Sequence, residues 1–214
     1  MVCAFLSAYM VYESVLSFHH LYGLESLLSN RDRWCHPIDQ GPSGQRQAWS
    51  NPWALRLASI IYVHFLAKVL ELSDTFIMVL KQNWNQVSFL HVYHHASVIF
   101  PTWFFNTTYL PGGEAWWCCF LNSLVHTFMY SHYGLRSIGI SLPVKPLQTG
   151  FQIVQFLTYI YQAVDILFLS DPARGCAAPS VPAWQLLVQA SIFLWLFADF
   201  YVQAYLKPAK AKKD

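Results

Sequence analysis

Long apolar stretches separated by short polar connectors dominate this chain, and their length carries the first inference. Each stretch runs roughly 20 residues, enough to cross the hydrocarbon core of a bilayer as a helix. Six can be read, over 2–24, 53–80, 87–105, 115–133, 151–169 and 184–206. The connectors carry turn and charge signals. The longest, 25–52, holds Arg31, Arg33, Pro37, Gly41, Pro42, Gly44 and Arg46. Pro111-Gly112-Gly113 punctuates 106–114, Pro143 and Pro146 lie in 134–149, and Pro172, Gly175, Pro179 and Pro182 lie in 170–183. No internal repeat or low-complexity tract interrupts the pattern. The expectation is an all-α integral membrane protein, with one polytopic domain over 1–206 and a basic tail over 207–214.

Composition agrees. Hydrophobic residues make up 55% and charged residues 11%, against about a quarter charged in soluble domains. The net charge of +2 gives no reason to expect a nucleic-acid partner. The first stretch lacks the basic start and small-residue cleavage site of a secretory signal. Five cysteines include no CxxC pair, so neither a zinc nor a thioredoxin-like site is suggested.

Loop charges orient the bundle. With the C-terminus in the cytosol, that side holds Lys81, Arg136, Lys145, Lys207, Lys210, Lys212 and Lys213, and the lumenal side holds Arg31, Arg33, Arg46 and Arg174. The sequon Asn106-Thr107-Thr108 then faces the lumen. Lys210-Ala211-Lys212-Lys213-Asp214 resembles a dilysine retrieval signal, which acts in the cytosol, or is simply a basic cap. Cys35 and Cys176 both face an oxidising lumen, where a disulfide between them is permitted.

Polar residues inside the spans are the informative ones, because a charge at a helix centre costs roughly 2.5–3.5 kcal/mol on insertion scales. Four clusters occur. Lys68, Glu71 and Asp74, spaced i, i+3, i+6 with Thr75 beside them, share one helix face. This is either a site or an ion-pair network that locks helices. His91, His94 and His95 share one broad face and suggest metal ligation or nucleophilic and acid–base chemistry. Asn122, His126, Tyr130 and Tyr133 form a stripe at i, i+4, i+8, i+11, for packing or for catalysis. Thr149, Gln152 and Gln155, continuing to Tyr159 and Gln162, suit interhelical hydrogen bonding or substrate positioning equally.

Three function classes fit such residues. A di-iron desaturase or hydroxylase needs about eight histidines in several boxes, whereas this chain holds nine in all and one HxxHH box. A condensing acyltransferase needs a neutral histidine to attack a thioester and a second histidine and an amide to stabilise developing charge, which His94, His126 and Asn122 could supply. A channel or transporter would use the same residues as a polar path, but no pair of Gly/Pro-broken helices recurs in two halves.

Taken together, KxxExxDT at 68–75, QxxFLHxYHH at 86–95, NxxxHxxMY at 122–130 and TxxQxxQ at 149–155 resemble the ELO family of very-long-chain fatty-acid elongases in order and spacing. The resemblance implies a helical membrane barrel around a long tunnel open to the cytosol, in the endoplasmic reticulum. It implies condensation of a fatty acyl-CoA with malonyl-CoA to 3-oxoacyl-CoA, CO2 and CoA, without a metal or other cofactor. Carried over, His94 would accept the acyl group, His126 would act in the partner site, and Asn122 would stabilise. His91 and His95 would orient and tune. Lys68, Glu71 and Asp74 would hold the architecture, while Tyr130, Gln152 and Gln155 would line the substrate path. The ketoacyl reductase, dehydratase and enoyl reductase of the elongation cycle are the implied partners, and a homodimer is compatible.

Two departures from the family pattern stand out. His132 occupies a position where the family usually has an aromatic residue. Family members are typically longer with seven membrane helices, so the expectation is that either the family's first helix is absent here or the sequence is a fragment. The Leu90-His91-Val92-Tyr93-His94-His95 form leans toward polyunsaturated chains. Phe128, Phe156 and Trp195 are candidates for setting tunnel depth.

Overall fold

The computed structural model of the chain describes residues 2–24, 34, 51–84, 87–108, 115–169 and 180–207. Among these there are six α-helices and no strand: α1 (Val2–Tyr22), α2 (Pro52–Leu80), α3 (Phe89–Thr108), α4 (Ala115–Ser137), α5 (Lys145–Val164) and α6 (Ser180–Tyr201). Five-residue π-helical stretches, Asp165–Leu169 and Val202–Leu206, follow α5 and α6. Four elements are long and apolar enough to cross a membrane: Val2–Tyr22, Pro52–Leu80, Lys145–Leu169 and Ser180–Leu206. The chain is therefore an all-helical integral membrane protein. α3 and α4 have the length, 20 and 23 residues, but histidines, amides and hydroxyls dilute their apolar content. The hydropathic signal is weakest where the candidate chemistry is densest.

Two helices begin earlier than hydropathy indicates. α5 starts at Lys145 rather than 151, because its polar first turn is still helical and Pro146 suits that position. α6 starts at Ser180 rather than 184, and Pro182 sits in its first turn, where the missing N–H is tolerated. Asn51 caps α2 by accepting from Trp53 N at 3.0 Å.

The helices close into a ring. α2 neighbours α3, α3 neighbours α6, α6 neighbours α5, α5 neighbours α4, and α4 returns to α2. α1 lies against both α2 and α4. It runs antiparallel to α4, with Phe18 stacked on Trp116 at 4.0 Å and Ser14 Oγ 3.6 Å from Cys119 Sγ. It is tied to α2 by Arg56, which grips both oxygens of Glu13 at 2.7–3.1 Å while its guanidinium lies 4.7 Å over the Trp53 ring. A second core joins α5 and α6 through Phe156, Tyr159, Ala190, Phe193 and Phe197.

α3 contains Pro101, whose ring nitrogen cannot bond the carbonyl four residues earlier. That carbonyl belongs to Ser97, and Gln189 of α6 donates to it from Nε2 at 3.1 Å. Gln185 Nε2 in turn donates to Gln189 Oε1. In a bilayer a freed backbone carbonyl must find a partner within the protein, so the proline helps to make α6 the neighbour of α3.

The outer surface is apolar. An open groove of about 410 Å³ between α2 and α3 is lined by Phe65, Leu72, Ala96, Ile99, Phe100 and Trp103. Phe128 and Trp195 also face outward, at 52% and 68% exposure. Phe156, the third residue expected to set tunnel depth, is buried at 3%. Cys35 and Cys176, Arg31, Arg33, Arg46 and Arg174, the 111–113 turn, Gln86 and the dilysine-like tail lie outside the described residues, whereas Asn106 falls in the last turn of α3.

The proline and the glutamine are expected to be energetically coupled. Gln189→Leu should lower the thermal midpoint in detergent, by the roughly 0.6–2 kcal/mol of a membrane interhelical hydrogen bond. In a Pro101→Ala background, where the helix can satisfy the Ser97 carbonyl itself, the same substitution should cost clearly less. Equal costs in both backgrounds would sever the link.

Candidate active site

α2 carries the spine of the site. His64, Lys68, Glu71 and Thr75 recur at i, i+4, i+7 and i+11, one stripe of a helix. Lys68 and Glu71 are 3% and 4% exposed, and Lys68 Nζ donates to Glu71 Oε1 at 2.7 Å. His126 Nδ1, from α4, lies 3.0 Å from the same oxygen, off the line of a hydrogen bond. His95 Nδ1, from α3, lies 3.8 Å from Glu71 Oε2. One buried carboxylate thus gathers groups from three helices.

Polar pairs flank this centre at either end. Toward the start of α2, His64 Nε2 is 3.2 Å from Asn122 Oδ1. Toward its end, Tyr130 Oη donates to Asp74 Oδ2 at 2.8 Å, and Thr75 Oγ1 is 2.9 Å from His91 Nε2. The pairs His64–Asn122, Glu71–His126 and Asp74–Tyr130 advance together along α2 and α4, so these helices run parallel. Thr75–His91 and Glu71–His95 run in opposite order, so α3 is antiparallel to α2.

The three histidines of α3 divide between two neighbours. His91 and His95, one turn apart with rings at 4.5 Å, face α2. His94 is rotated about 100° from His95 and meets α6, its ring 4.8 Å from Phe193 and 5.8 Å from Phe197. Its ring remains 5.3 Å from that of His95. The single broad face read from the spacing is therefore split between a polar side and an aromatic one. Asn122, one turn before His126 on α4, pairs with His64 of α2.

α5 contributes Gln155, 4% exposed, and the partly buried Gln152. Further along, Tyr159 Oη donates to the Cys118 carbonyl at 2.9 Å and Cys118 Sγ donates to Gln162 Oε1 at 3.6 Å. His132 is buried at 4%, whereas Tyr133 is half-exposed.

Ten buried side-chain polar atoms among the described residues have no hydrogen-bond partner, and Glu71 Oε2, His95 Nδ1, His126 Nδ1 and Gln155 Oε1 are among them. The last four come from four helices, and burying such an atom unpaired costs about 1–3 kcal/mol. Among the described residues, no three His, Cys, Asp or Glu side chains are grouped to hold a metal ion.

His64, Phe193 and Phe197 were not selected from the sequence. His64 had a usable signal, since it stands four residues before Lys68 on the same stripe. The two phenylalanines had none, because nothing local shows that α6 meets α3.

The profile of the ELO: GNS1/SUR4 family matches residues 1–213. The chain is similar to Very long chain fatty acid elongase 4 of Homo sapiens, 34% identical over 76% of this chain and 51% of that protein. It is 32% identical to Very long chain fatty acid elongase 1 of Mus musculus, over 94% of this chain and 67% of the relative. It is 33% identical to Very long chain fatty acid elongase 2 of Mus musculus, over 97% and 64%. The chain thus spans about half the length of the first relative and about two thirds of the other two.

Breaking the central pair from one side should be worse than removing it. Lys68→Met leaves Glu71 buried without its cation, and the thermal midpoint should fall by the equivalent of about 3–5 kcal/mol. Lys68→Met with Glu71→Leu should recover part of that loss. A single variant that melts like the parent would show that the pair does not hold the helices.

Proposed function

The chain belongs to the ELO: GNS1/SUR4 family, and we propose that it is the condensing enzyme of fatty acid elongation. It joins a long-chain acyl-CoA to malonyl-CoA and releases 3-oxoacyl-CoA, CO2 and CoA. The observation that carries this reading is the buried polar centre formed by Lys68, Glu71, His95 and His126, with His94 at its aromatic border.

The reaction divides into two steps. A ring nitrogen of His94 attacks the acyl thioester, the carbon–sulfur bond breaks, and CoA departs with a proton, leaving an acyl-imidazole. Malonyl-CoA then loses CO2, and the resulting carbanion attacks the acyl carbon. The carbon–nitrogen bond breaks, a carbon–carbon bond forms, and the leaving ring nitrogen takes up one proton from water, which regenerates His94 and replaces the proton that left with CoA. Asn122 stabilises charge on the thioester oxygen, and His126 serves the malonyl half-site. His91 and His95 orient and tune, while Lys68, Glu71 and Asp74 hold these groups in register. Tyr130, Gln152 and Gln155 line the path of the substrate.

His94 suits the first step because it stands between two environments. Phe193 and Phe197 on one side favour an alkyl chain, and the Glu71 centre on the other favours the polar thioester. A tunnel inside the helical ring, open to the cytosol, would admit CoA substrates. The basic tail is consistent with retention in the endoplasmic reticulum membrane, and the motif form with a preference for polyunsaturated chains. The 3-oxo product requires a ketoacyl reductase, a dehydratase and an enoyl reductase to complete one cycle.

Purified protein should be incubated with a panel of acyl-CoAs and labelled malonyl-CoA, following 3-oxoacyl-CoA by mass spectrometry and assaying bound iron. Product should form without stoichiometric metal, and His94→Ala should abolish both product and an acyl adduct detected by intact mass. Tightly bound iron without product would instead favour desaturase or hydroxylase chemistry. Product at the normal rate from His94→Ala would remove the nucleophile assignment.

A further inference from the structure

We propose that His64 is a positioning residue that holds the side-chain oxygen of Asn122 and so turns the Asn122 amide N–H groups toward the reacting thioester. The inference rests on the condensing reaction proposed above.

His64 stands one turn before Lys68 on the interior stripe of α2 and is 8% exposed. Its Nε2 lies 3.2 Å from Asn122 Oδ1. Asn122 stands one turn before His126 on the same face of α4, which sets its amide roughly 6 Å along the helix from the Glu71 centre. A carboxamide offers one acceptor oxygen and two N–H donors. With the oxygen taken by His64, the groups left for a ligand are donors.

The chemistry needs that polarity. As the nucleophile attacks, negative charge develops on the thioester oxygen, and a donor already aimed at it lowers the barrier. An asparagine free to rotate would present its carbonyl part of the time, and an acceptor facing an oxyanion repels it. Planar, buried and 3.2 Å from the amide oxygen, the His64 ring removes that freedom. It acts through Asn122 and does not itself touch the substrate.

The test is a double-mutant cycle in the full chain, reading kcat, KM and thermal midpoint for the parent, His64→Ala, Asn122→Ala and the double variant. His64→Ala is expected to lower kcat roughly 10- to 100-fold, the range for loss of a group that orients a reactive one, with KM little changed. His64→Gln, whose amide can still donate, should restore part of the loss. In the Asn122→Ala background His64→Ala should add nothing, because the two act as a unit. Losses that multiply, or parental turnover in His64→Ala, would overturn the assignment.

Asn122→Asp supplies a second reading should His64→Ala fold poorly. It keeps shape but offers acceptors only, so kcat should fall. Retained activity would mean that the amide presents its oxygen to the substrate, contrary to the inference. A parent that makes no 3-oxoacyl product would defeat the condensing reading and this inference together, whereas an active parent with an indifferent His64 would defeat the inference alone.

Discussion

A carboxylate inside an apolar helical bundle is costly unless charge and hydrogen bonds offset its burial, and the groups gathered around Glu71 supply most of that offset. Lys68 reaches it from the same helix, His126 from α4 and His95 from α3. Lipid tails are as apolar as leucine side chains, so burying apolar surface does not tell one membrane helix which neighbour to choose. Polar contacts supply that information. The order of pairs along α2 and α4, from His64–Asn122 through Glu71–His126 to Asp74–Tyr130, fixes their relative direction and height. The antiparallel placement of α3 follows from the same carboxylate and from Thr75–His91.

Much of this was legible in the sequence, because a bilayer makes polar residues conspicuous. The four polar clusters announced themselves by standing in segments that should contain only carbon. What spacing could not reveal is which neighbour each helix face meets. His91, His94 and His95 fit one broad arc, yet the arc spans the boundary between α2 and α6, and α6 is three helices further along the chain. Asn122 was visible as part of a stripe, but its partner His64 was passed over as a single histidine ahead of a denser motif. Nor could spacing tell that, of the three candidates for tunnel depth, Phe156 is buried while Phe128 and Trp195 are exposed. The early starts of α5 and α6 escaped for a different reason. A helix whose first turn lies at the membrane edge can be polar and contain proline without ceasing to be a helix.

Backbone accounting explains a second contact that hydropathy does not show. Pro101 frees the Ser97 carbonyl, and the glutamine that meets it comes from α6. The same helix presents Phe193 and Phe197 to His94 about one and two turns further along its axis: Gln189, Phe193 and Phe197 follow one another at i, i+4 and i+8 on α6. A stripe that begins by satisfying a backbone carbonyl therefore ends by enclosing the histidine proposed as nucleophile. A proline that looks like a flaw in α3 becomes one of the features that bring the aromatic wall to the site.

The division among the α3 histidines then has a consequence for how one site could serve two substrates. A condensing enzyme must hold an alkyl chain and a charged carboxylate close together without mixing their surroundings. His94 and His95 are adjacent in sequence, and the helix turns successive side chains about 100° apart. One therefore meets Phe193 and Phe197 while the other faces Glu71 and Lys68. Two neighbouring residues on one rigid helix thus stand on either side of the border between an apolar and a polar compartment. On the proposed mechanism the acyl group would be held at that border, with its chain along the aromatic wall. The malonyl unit would approach from the polar side, where His126 and Lys68 converge on Glu71. The helical period alone produces this separation once α2 and α6 are placed on opposite flanks of α3, and those placements rest on the Glu71 cluster and on the carbonyl freed by Pro101.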